Sequence, residues 1–288
     1  MQIFADYIRK IEIDSLWSGK KHIVWELDPQ VNILSGINGM GKSTILNKVV
    51  KSVNTNGDII NHLLKGVHID AEPADATHIR FDIIRSLDSN LSQTLASFAG
   101  DGVLPSFGGA GGGASLPSFA GVGGGSLLDL QLYHLQRKFL DYQVNIGNRI
   151  IQQLQAGQMD AAQQLSQKKA RFQDIVDDLF SETGKRIVRT ENEIRFTQIG
   201  EMLAPYQLSS GEKQMLAILL TVLVQDDQPY VLFMDEPEVS LHIEWQKRLI
   251  DLCLELNPHV QIILTTHSPA VVMNGWMDRV TEVSEITF

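Results

Sequence analysis

Apolar and polar residues follow two different periods along this 288-residue chain. Near the N-terminus, Tyr7–Ile13 alternates with a period of two, His22–Leu27 follows a turn, and Val31–Ser35 is a short apolar run with β-branched members. Alternation indicates strands with one buried face, and an apolar run indicates a strand that is buried on both faces. The strand pattern returns in His78–Arg85 and in residues 186–197, so we predict strands there as well.

A helical period takes over in the middle of the chain. From Leu127 to Phe180, apolar residues recur at helical spacing, and Gly157 interrupts the pattern once. Two helices joined by a short turn form an antiparallel hairpin, so we predict a small helical lobe or short stalk. The apolar positions that carry this pattern are Leu128, Leu132, Leu135, Phe139, Ile146, Ile150, Leu165, Phe172, Ile175, Val176 and Leu179.

Residues 99–126 differ in kind from the rest of the chain. Leu104-Pro105-Ser106-Phe107 and Leu116-Pro117-Ser118-Phe119 are two copies of one motif, and each copy leads into a glycine-rich run. Such glycine density cannot offset its ordering entropy by core burial, which predicts a flexible insertion. The copies are either docking peptides for a partner or parts of an exposed loop. We therefore predict one main domain, the head, that is formed by residues 1–98 and 184–288. Residues 99–126 form the insertion between them, and residues 127–183 form the helical lobe.

The residues between the strand at 31–35 and the following helix fit the motif G-x-x-x-x-G-K-[ST] of a phosphate-binding P-loop. Glycines let the backbone curl so that its N–H groups converge on a polyphosphate, and the helix N-terminus adds its positive dipole end. Lys42 is predicted to reach the β- and γ-phosphates, and the Ser43 hydroxyl is predicted to ligate Mg²⁺. The expected nucleotide-binding residues of this segment are Gly36, Asn38, Gly39, Gly41, Lys42, Ser43 and Thr44.

Two further apolar runs end in residues that suit phosphate chemistry. Tyr230–Met234 is followed by Asp235 and Glu236, and ligands of open α/β sheets bind at such carboxyl ends of strands. Asp235 is predicted to hold Mg²⁺, and Glu236 to orient or deprotonate the attacking water. The next run ends at His267, which we predict to sense the γ-phosphate.

The segment Leu208-Ser209-Ser210-Gly211-Glu212-Lys213-Gln214 opens a strongly apolar helix. Its serines are suited to cap that helix, and its small residues let a phosphate approach the helix end. Taken alone, the segment predicts only a helix cap.

Composition narrows the classes of function. The net charge of −10 gives no overall attraction to nucleic acid or anionic lipid, although a local basic patch stays open. Cys253 is the single cysteine, which excludes a disulfide within the chain and favours a buried thiol in a reducing, cytoplasmic compartment. No apolar stretch has membrane-spanning length, so we expect no direct membrane insertion.

Together, these motifs resemble those of the ABC-type ATPases, and more closely the soluble branch that includes the SMC and RecF families. Gly36–Ser43 is similar to Walker A, Leu208–Gln214 to the ABC signature, Val231–Glu236 to Walker B, Ser240–His242 to the D-loop, and His267 to the switch histidine. Within that branch, the chain looks most like the small AAA-labelled ABC ATPases of bacterial defence operons. No glutamine matches the Q-loop clearly, and Gln93 is the nearest candidate.

The resemblance implies an α/β P-loop NTPase head with a mixed, largely parallel core sheet, an N-terminal antiparallel β part and a helical-hairpin lobe. It also implies a homodimer that holds two ATP molecules and Mg²⁺ between Walker A of one copy and the signature of the other. Lys42, Glu236 and His267 are then expected to act in catalysis, and Ser43 and Asp235 on the metal. The signature residues expected near the nucleotide are Ser209, Ser210, Gly211 and Glu212, with Lys213 also acting on the partner's site.

The predicted function, in anti-phage defence, is that of a cytoplasmic ATPase whose dimerisation controls a partner effector, such as a separately encoded nuclease, or a DNA transaction. The alternatives are the ATPase subunit of an ABC transporter and a DNA-repair ATPase of RecF type. A nucleotide-gated module that barely hydrolyses ATP is a further hypothesis, against which Glu236 argues.

Overall fold

The computed structural model describes residues 2–17, 19–37, 39–53, 57–59, 66–85 and 126–288. Asn38, Gln93 and the predicted insertion, apart from Ser126, lie outside the described residues. The helices and strands, in chain order, are β1 (Tyr7–Leu16), β2 (Lys21–Glu26), β3 (Val31–Ser35), α1 (Lys42–Ser52), β4 (Val67–Glu72), β5 (Phe81–Arg85), α2 (Leu127–Gln155), α3 (Met159–Leu179), β6 (Arg186–Ile187), β7 (Phe196–Gln198), β8 (Glu201–Leu203), α4 (Ser210–Leu223), β9 (Tyr230–Asp235), α5 (Ile243–Leu256), β10 (Val260–Thr265), α6 (Pro269–Val272) and β11 (Val280–Glu282).

The central sheet has the strand order β11-β3-β10-β9-β5, and each of its pairings is parallel. Parallel sheets are covered on both faces, which is why β3, β9 and β10 are continuous apolar runs in the sequence. Strands β1, β2 and β4 form a separate antiparallel sheet in the order β2-β1-β4. The parallel and antiparallel parts of the predicted fold therefore lie in different sheets.

Alternate residues of the central strands face two different cores. Phe233 and Ile263 face α1 and the antiparallel sheet, where they pack in one hydrophobic cluster. Their neighbours Leu232 and Ile262 face the helical side and pack in a second cluster with α2, α3, α4 and α5. Because the side-chain period of a strand is two, one sheet serves both cores.

The predicted helical hairpin is present as α2 and α3, joined at Gly157, whose φ of 75° lies in the left-handed region. Its base packs on α4, which is buried on nearly all sides. The far end of the hairpin keeps large apolar side chains exposed, including Ile151 and Met159. The lobe therefore shares one hydrophobic core with the central sheet. The domain boundaries given above stay a prediction.

The strand character of residues 186–197 corresponds to β6 and β7, which pair as an antiparallel hairpin. Strand β8 extends this small sheet and leads, through a 3₁₀ turn at Pro205–Gln207, to the start of α4. None of the described helices combines the length and the apolar character needed to cross a membrane.

Candidate nucleotide-binding site

The P-loop segment lies between the carboxyl end of β3 and the first residue of α1, as the motif requires. Gly41 is the N-cap of α1, and its φ of 91° is one that side-chain-bearing residues rarely adopt. None of the described side chains caps this helix, whereas Ser126 caps α2 and Ser209 caps α4. The first N–H groups of α1 are thus left for an anion.

The indole of Trp17 lies directly on Gly41. A Cβ built on Gly41 would come within 2.1 Å of Cζ2 of Trp17, so only glycine permits this contact. Trp17 is 40% exposed and has a φ of 49°. An exposed ring at this place beside the P-loop suits either simple packing or stacking on an adenine.

Lys42 is the first residue of α1 and is buried. Its Nζ donates a hydrogen bond to Gly36 O at 2.8 Å and lies 3.3 Å from His267 Nδ1. Burial lowers the pKa of the Lys42 ammonium below its ordinary value, and the carboxylates of Glu236, Asp235 and Glu238 oppose that shift. In the described part of the chain, no carboxylate makes a direct ion pair with Lys42, so its charge is available to a phosphate.

The two predicted metal ligands are in contact with each other. Ser43 Oγ donates to Asp235 Oδ1 at 2.8 Å, and Thr265 Oγ1 donates to the same oxygen at 2.6 Å. A hydroxyl and a carboxylate are hard oxygen ligands, which suit Mg²⁺ when substrate phosphates complete its shell. The donor set therefore fits the ion that the motifs imply.

Glu236 and His267 meet at the carboxyl ends of β9 and β10. His267 Nε2 lies 3.1 Å from Glu236 Oε1. Because the ammonium of Lys42 can only donate, its contact makes Nδ1 the acceptor and leaves the Nε2 hydrogen for Glu236. Glu236 has a φ of 48°, and its N–H donates to Thr265 O at 3.1 Å, so the strained backbone is held by the neighbouring strand.

The start of α4 uses two of the signature residues for its own cap. Ser209 and Glu212 form a capping box, and Lys185 Nζ pairs with Glu212 Oε1 at 2.8 Å. Burial raises the pKa of Glu212, but hydrogen bonds from Lys185, Ser209 and Thr183 outweigh it and leave the pKa below its usual value. The carboxylate of Glu212 is thus engaged in the helix cap of its own chain, and its position near a nucleotide stays a prediction.

The other signature residues divide in the same way. Lys213 pairs with Asp129 of α2 at 2.7 Å, which fixes it within its own chain. Ser210 is exposed at the first turn of α4, and Gly211 is buried against the backbone of Ser240. Within the described residues, no hydrogen bond or ion pair joins residues 209–213 to the P-loop segment.

Two residues that organise the site were not predicted from the sequence. Thr265 donates to Asp235 Oδ1, the oxygen that also accepts from Ser43 Oγ, and Glu238 binds the segment that carries His267. Both lie within two residues of a predicted site residue, Glu236 or His267, and both are polar at the ends of apolar strands. That signal was present in the sequence, but it did not specify their partners.

Gly211→Ala is expected to lower the free energy of unfolding by about 1–3 kcal/mol, since an added methyl overpacks a filled space. The new Cβ would lie 2.4 Å from Ser240 O, a backbone atom that cannot rotate away. Gly147→Ala is the matched control, because it lies inside α2 and its Cβ would meet nothing within 4 Å. Urea denaturation measures both variants, and equal midpoints for the two would contradict the close approach.

Comparison with known proteins agrees with this geometry. The family described as "AAA domain, putative AbiEii toxin, Type IV TA system" matches residues 131–274, which is half of the chain. Over 100 residues, the chain is 26% identical to the retron Vc95 probable ATPase of Vibrio cholerae serotype O1 biovar El Tor. That alignment covers 31% of this chain and only 20% of the relative.

One solved structure of high coverage shows the fold. A SmcHead bound to the C-winged helix domain of ScpA has a TM-score of 0.50 and 15% identity, with 93% of this chain and 91% of that chain covered. The SMC head domain from Thermotoga maritima has a TM-score of 0.46 and 16% identity, with 96% and 94% covered. The predicted fold class, an α/β P-loop NTPase head, is confirmed.

Proposed function

This chain belongs to the family described as "AAA domain, putative AbiEii toxin, Type IV TA system", and on that premise we propose that it is an ATP-hydrolysing switch that works as a homodimer. Its resemblance to SMC- and RecF-like ABC-type ATPases agrees with both the family and the fold. We extend the proposal to the cytoplasm as its place of action, in keeping with its single buried thiol.

One observation carries the proposal of hydrolysis. His267 lies within hydrogen-bond reach of both Lys42 and Glu236, although the three residues come from distant parts of the sequence. Such a constellation supplies a cation for the γ-phosphate, a carboxylate for the attacking water and an imidazole beside both. The water oxygen would attack the γ-phosphorus while a proton of the water passes to Glu236. The bond between the γ-phosphorus and the oxygen that bridges it to the β-phosphate would break, and ADP would leave.

Ser43 and Asp235 would hold Mg²⁺ beside this group, through Ser43 Oγ and the carboxylate of Asp235. When bound, the ion neutralises charge on the phosphates. The hydrogen bond from Thr265 Oγ1 to Asp235 Oδ1 keeps this oxygen oriented toward Ser43.

The proposal of a dimer rests on the start of α4, which makes no hydrogen bond or ion pair with the P-loop of its own chain within the described residues. Ser210 is exposed at the start of α4, and the described contacts tie this helix end to α2 and Ser240 rather than to the P-loop of the same chain. A helix end that faces solvent can complete the pocket of a second copy, whose γ-phosphate would bridge the two surfaces. Hydrolysis would remove that bridge and let the copies separate.

The output that we propose is control of a separately encoded effector in bacterial defence. The family description names a toxin of a toxin–antitoxin system, and one relative is a retron ATPase. Since the chain matches a fifth of that relative, the partner belongs to the proposal and not to the findings.

A mixing experiment tests the shared pocket. Lys42→Ala removes the phosphate cation, and Ser210→Arg blocks the exposed helix end without disturbing a buried group. Each variant alone is expected to be inactive. A mixture is expected to recover about a quarter of the parental activity, because half of the randomly formed dimers carry one intact composite pocket. Steady-state phosphate release measures the recovery.

Recovery in the mixture requires that the two mutated groups act in different chains. Pockets formed within one chain would give no recovery, since each chain would carry its own defect. Circular dichroism of each variant alone checks that both remain folded, and sedimentation of the mixture with ATP checks that the two kinds of copy associate. A fully active Ser210→Arg variant would remove this helix end from the site.

A further inference from the structure

The carboxylate of Glu238 lies two residues beyond Glu236 and is 7% exposed. Its Oε1 accepts hydrogen bonds from Thr266 Oγ1 at 2.5 Å, from the backbone N–H of His267 at 3.0 Å and from that of Ser268 at 3.3 Å. Its Oε2 is buried and has no hydrogen-bond partner among the described residues. One oxygen thus binds three consecutive residues of the segment that carries the switch histidine.

This segment needs such a partner, because β10 ends at Thr265 and the short helix α6 begins only at Pro269. Thr266 N–H still donates to Leu34 O at 3.4 Å, and Ser268 N–H also donates to Thr266 Oγ1 at 2.9 Å. The N–H of His267, in contrast, has Glu238 as its only acceptor among the described residues. An N–H that loses its acceptor in a partly buried site is unfavourable, so Glu238 satisfies a group that the strand and the helix leave open.

A second contact holds the same segment from its other end. Ser268 Oγ donates to Gln246 Oε1 at 2.6 Å, and Gln246 Nε2 donates to Leu241 O at 2.9 Å. Residues 266–268 are therefore tied both to Glu238 and to the turn that follows it, residues 238–241. The imidazole of His267 extends from this fixed backbone to Lys42 and Glu236.

We propose that Glu238 is a positioning residue, which holds the backbone of His267 so that its ring lies between Lys42 and Glu236. Its acceptor oxygen performs this role, and its negative charge is not required. The position of the His267 backbone can be measured in the protein without nucleotide, so this part of the inference does not depend on the proposed function. The effect on turnover rests on the proposed ATPase function.

Two variants of similar size separate the acceptor from the charge. Glu238→Gln keeps an acceptor oxygen and loses the charge, and its amide nitrogen would take the place of the unpaired Oε2. Glu238→Leu keeps the volume and loses both. Glu244→Gln is the control, since Glu244 is an exposed carboxylate on α5 that pairs with Lys247.

The first measurement is amide hydrogen exchange at His267 in the protein without nucleotide, followed by NMR. The exchange rate is expected to rise about tenfold or more in Glu238→Leu, because a hydrogen bond to a charged acceptor is lost. In Glu238→Gln and in the control it is expected to stay within about threefold of the parent, because the acceptor is kept. Protection of His267 in the leucine variant would overturn the proposal.

The second measurement is steady-state turnover. Glu238→Leu is expected to lower kcat about tenfold or more with KM for ATP nearly unchanged, and Glu238→Gln is expected to restore most of kcat. In a chain that already carries His267→Ala, Glu238→Leu is expected to change kcat little, because residues that act as a unit are not additive. An additional loss in the double variant would show a role apart from His267.

Other outcomes also decide the question. A Glu238→Gln variant with normal exchange but lost turnover would assign the role to charge, for example to the carboxylate acting on Lys42, and would overturn the proposal. If Glu238→Leu does not fold, the Glu238→Gln variant decides the question. A loss of amide protection at His267 in that variant, or a loss of its turnover, would contradict the role of the Glu238 oxygen as an acceptor. A parent protein without ATPase activity would end the proposed function, while the exchange result would still test the position of His267.

Discussion

Replacing Glu236 by glutamine is expected to lower ATP turnover roughly thousandfold, an effect typical of losing a positioned proton acceptor together with its charge. Glutamine keeps the size of the side chain and an oxygen that can accept from His267 Nε2, now 3.1 Å from Glu236 Oε1. It cannot accept the proton of the attacking water at neutral pH. The pocket therefore stays formed while the chemical step stops.

The same variant is expected to bind ATP with parental affinity and to accumulate as a dimer with ATP. Phosphate release and sedimentation in the presence of Mg²⁺ and ATP measure the two effects. The Glu244→Gln variant again serves as the control, because its carboxylate lies on the surface of α5. Turnover at the parental rate would mean that Glu236 is not the catalytic carboxylate.

Replacing Lys42 by alanine is expected to weaken ATP binding about a hundredfold or more, because charged hydrogen bonds to phosphate contribute about 1.5–3 kcal/mol each. Lys42 is buried, and its present contacts are carbonyl oxygens and the imidazole of His267. A phosphate would supply the negative charge that these contacts do not provide. Calorimetric titration with Mg²⁺ and ATP measures the loss.

Lys48→Ala is the matched control, since Lys48 lies on the same helix and its Nζ donates to Ser15 O at the surface. The control is expected to bind ATP as the parent does. Removing Lys42 is also expected to leave the melting temperature unchanged or higher, because no described ion pair is broken and a buried charge is lost. Tight ATP binding by the Lys42→Ala variant would refute the P-loop assignment.

The motifs that could be predicted from the sequence are those whose chemistry is contained in one short segment. The turn between β3 and α1 needs glycines at fixed spacing, so Gly41 and Lys42 carry their own signal. The apolar runs before Asp235 and before His267 predicted buried strands that end at a common edge, and parallel pairing of β9 with β10 brings these ends together.

The rest depends on contacts between distant segments, which leave no local pattern. The pairing of Lys185 with Glu212 and the binding of residues 266–268 by Glu238 are set by how the helices pack on the sheet. The place of Glu212 in the signature predicts a position near the nucleotide, which stays a prediction, and the structure adds its contacts in the helix cap. Strands β4 and β11 were also missed. Val67–Glu72 alternates apolar and polar residues, so its signal was present in the sequence, whereas Val280–Glu282 is only three residues long.

The one native cysteine gives this protein a practical advantage. Cys253 is fully buried on α5, and burial raises the pKa of its thiol to about 12, so it stays protonated and shielded from maleimides. A cysteine introduced at an exposed position, such as Val144 on α2, can then carry a fluorophore while Cys253 is kept. Energy transfer between donor-labelled and acceptor-labelled copies could follow their approach and separation in real time, without first removing the native sulfur from the core.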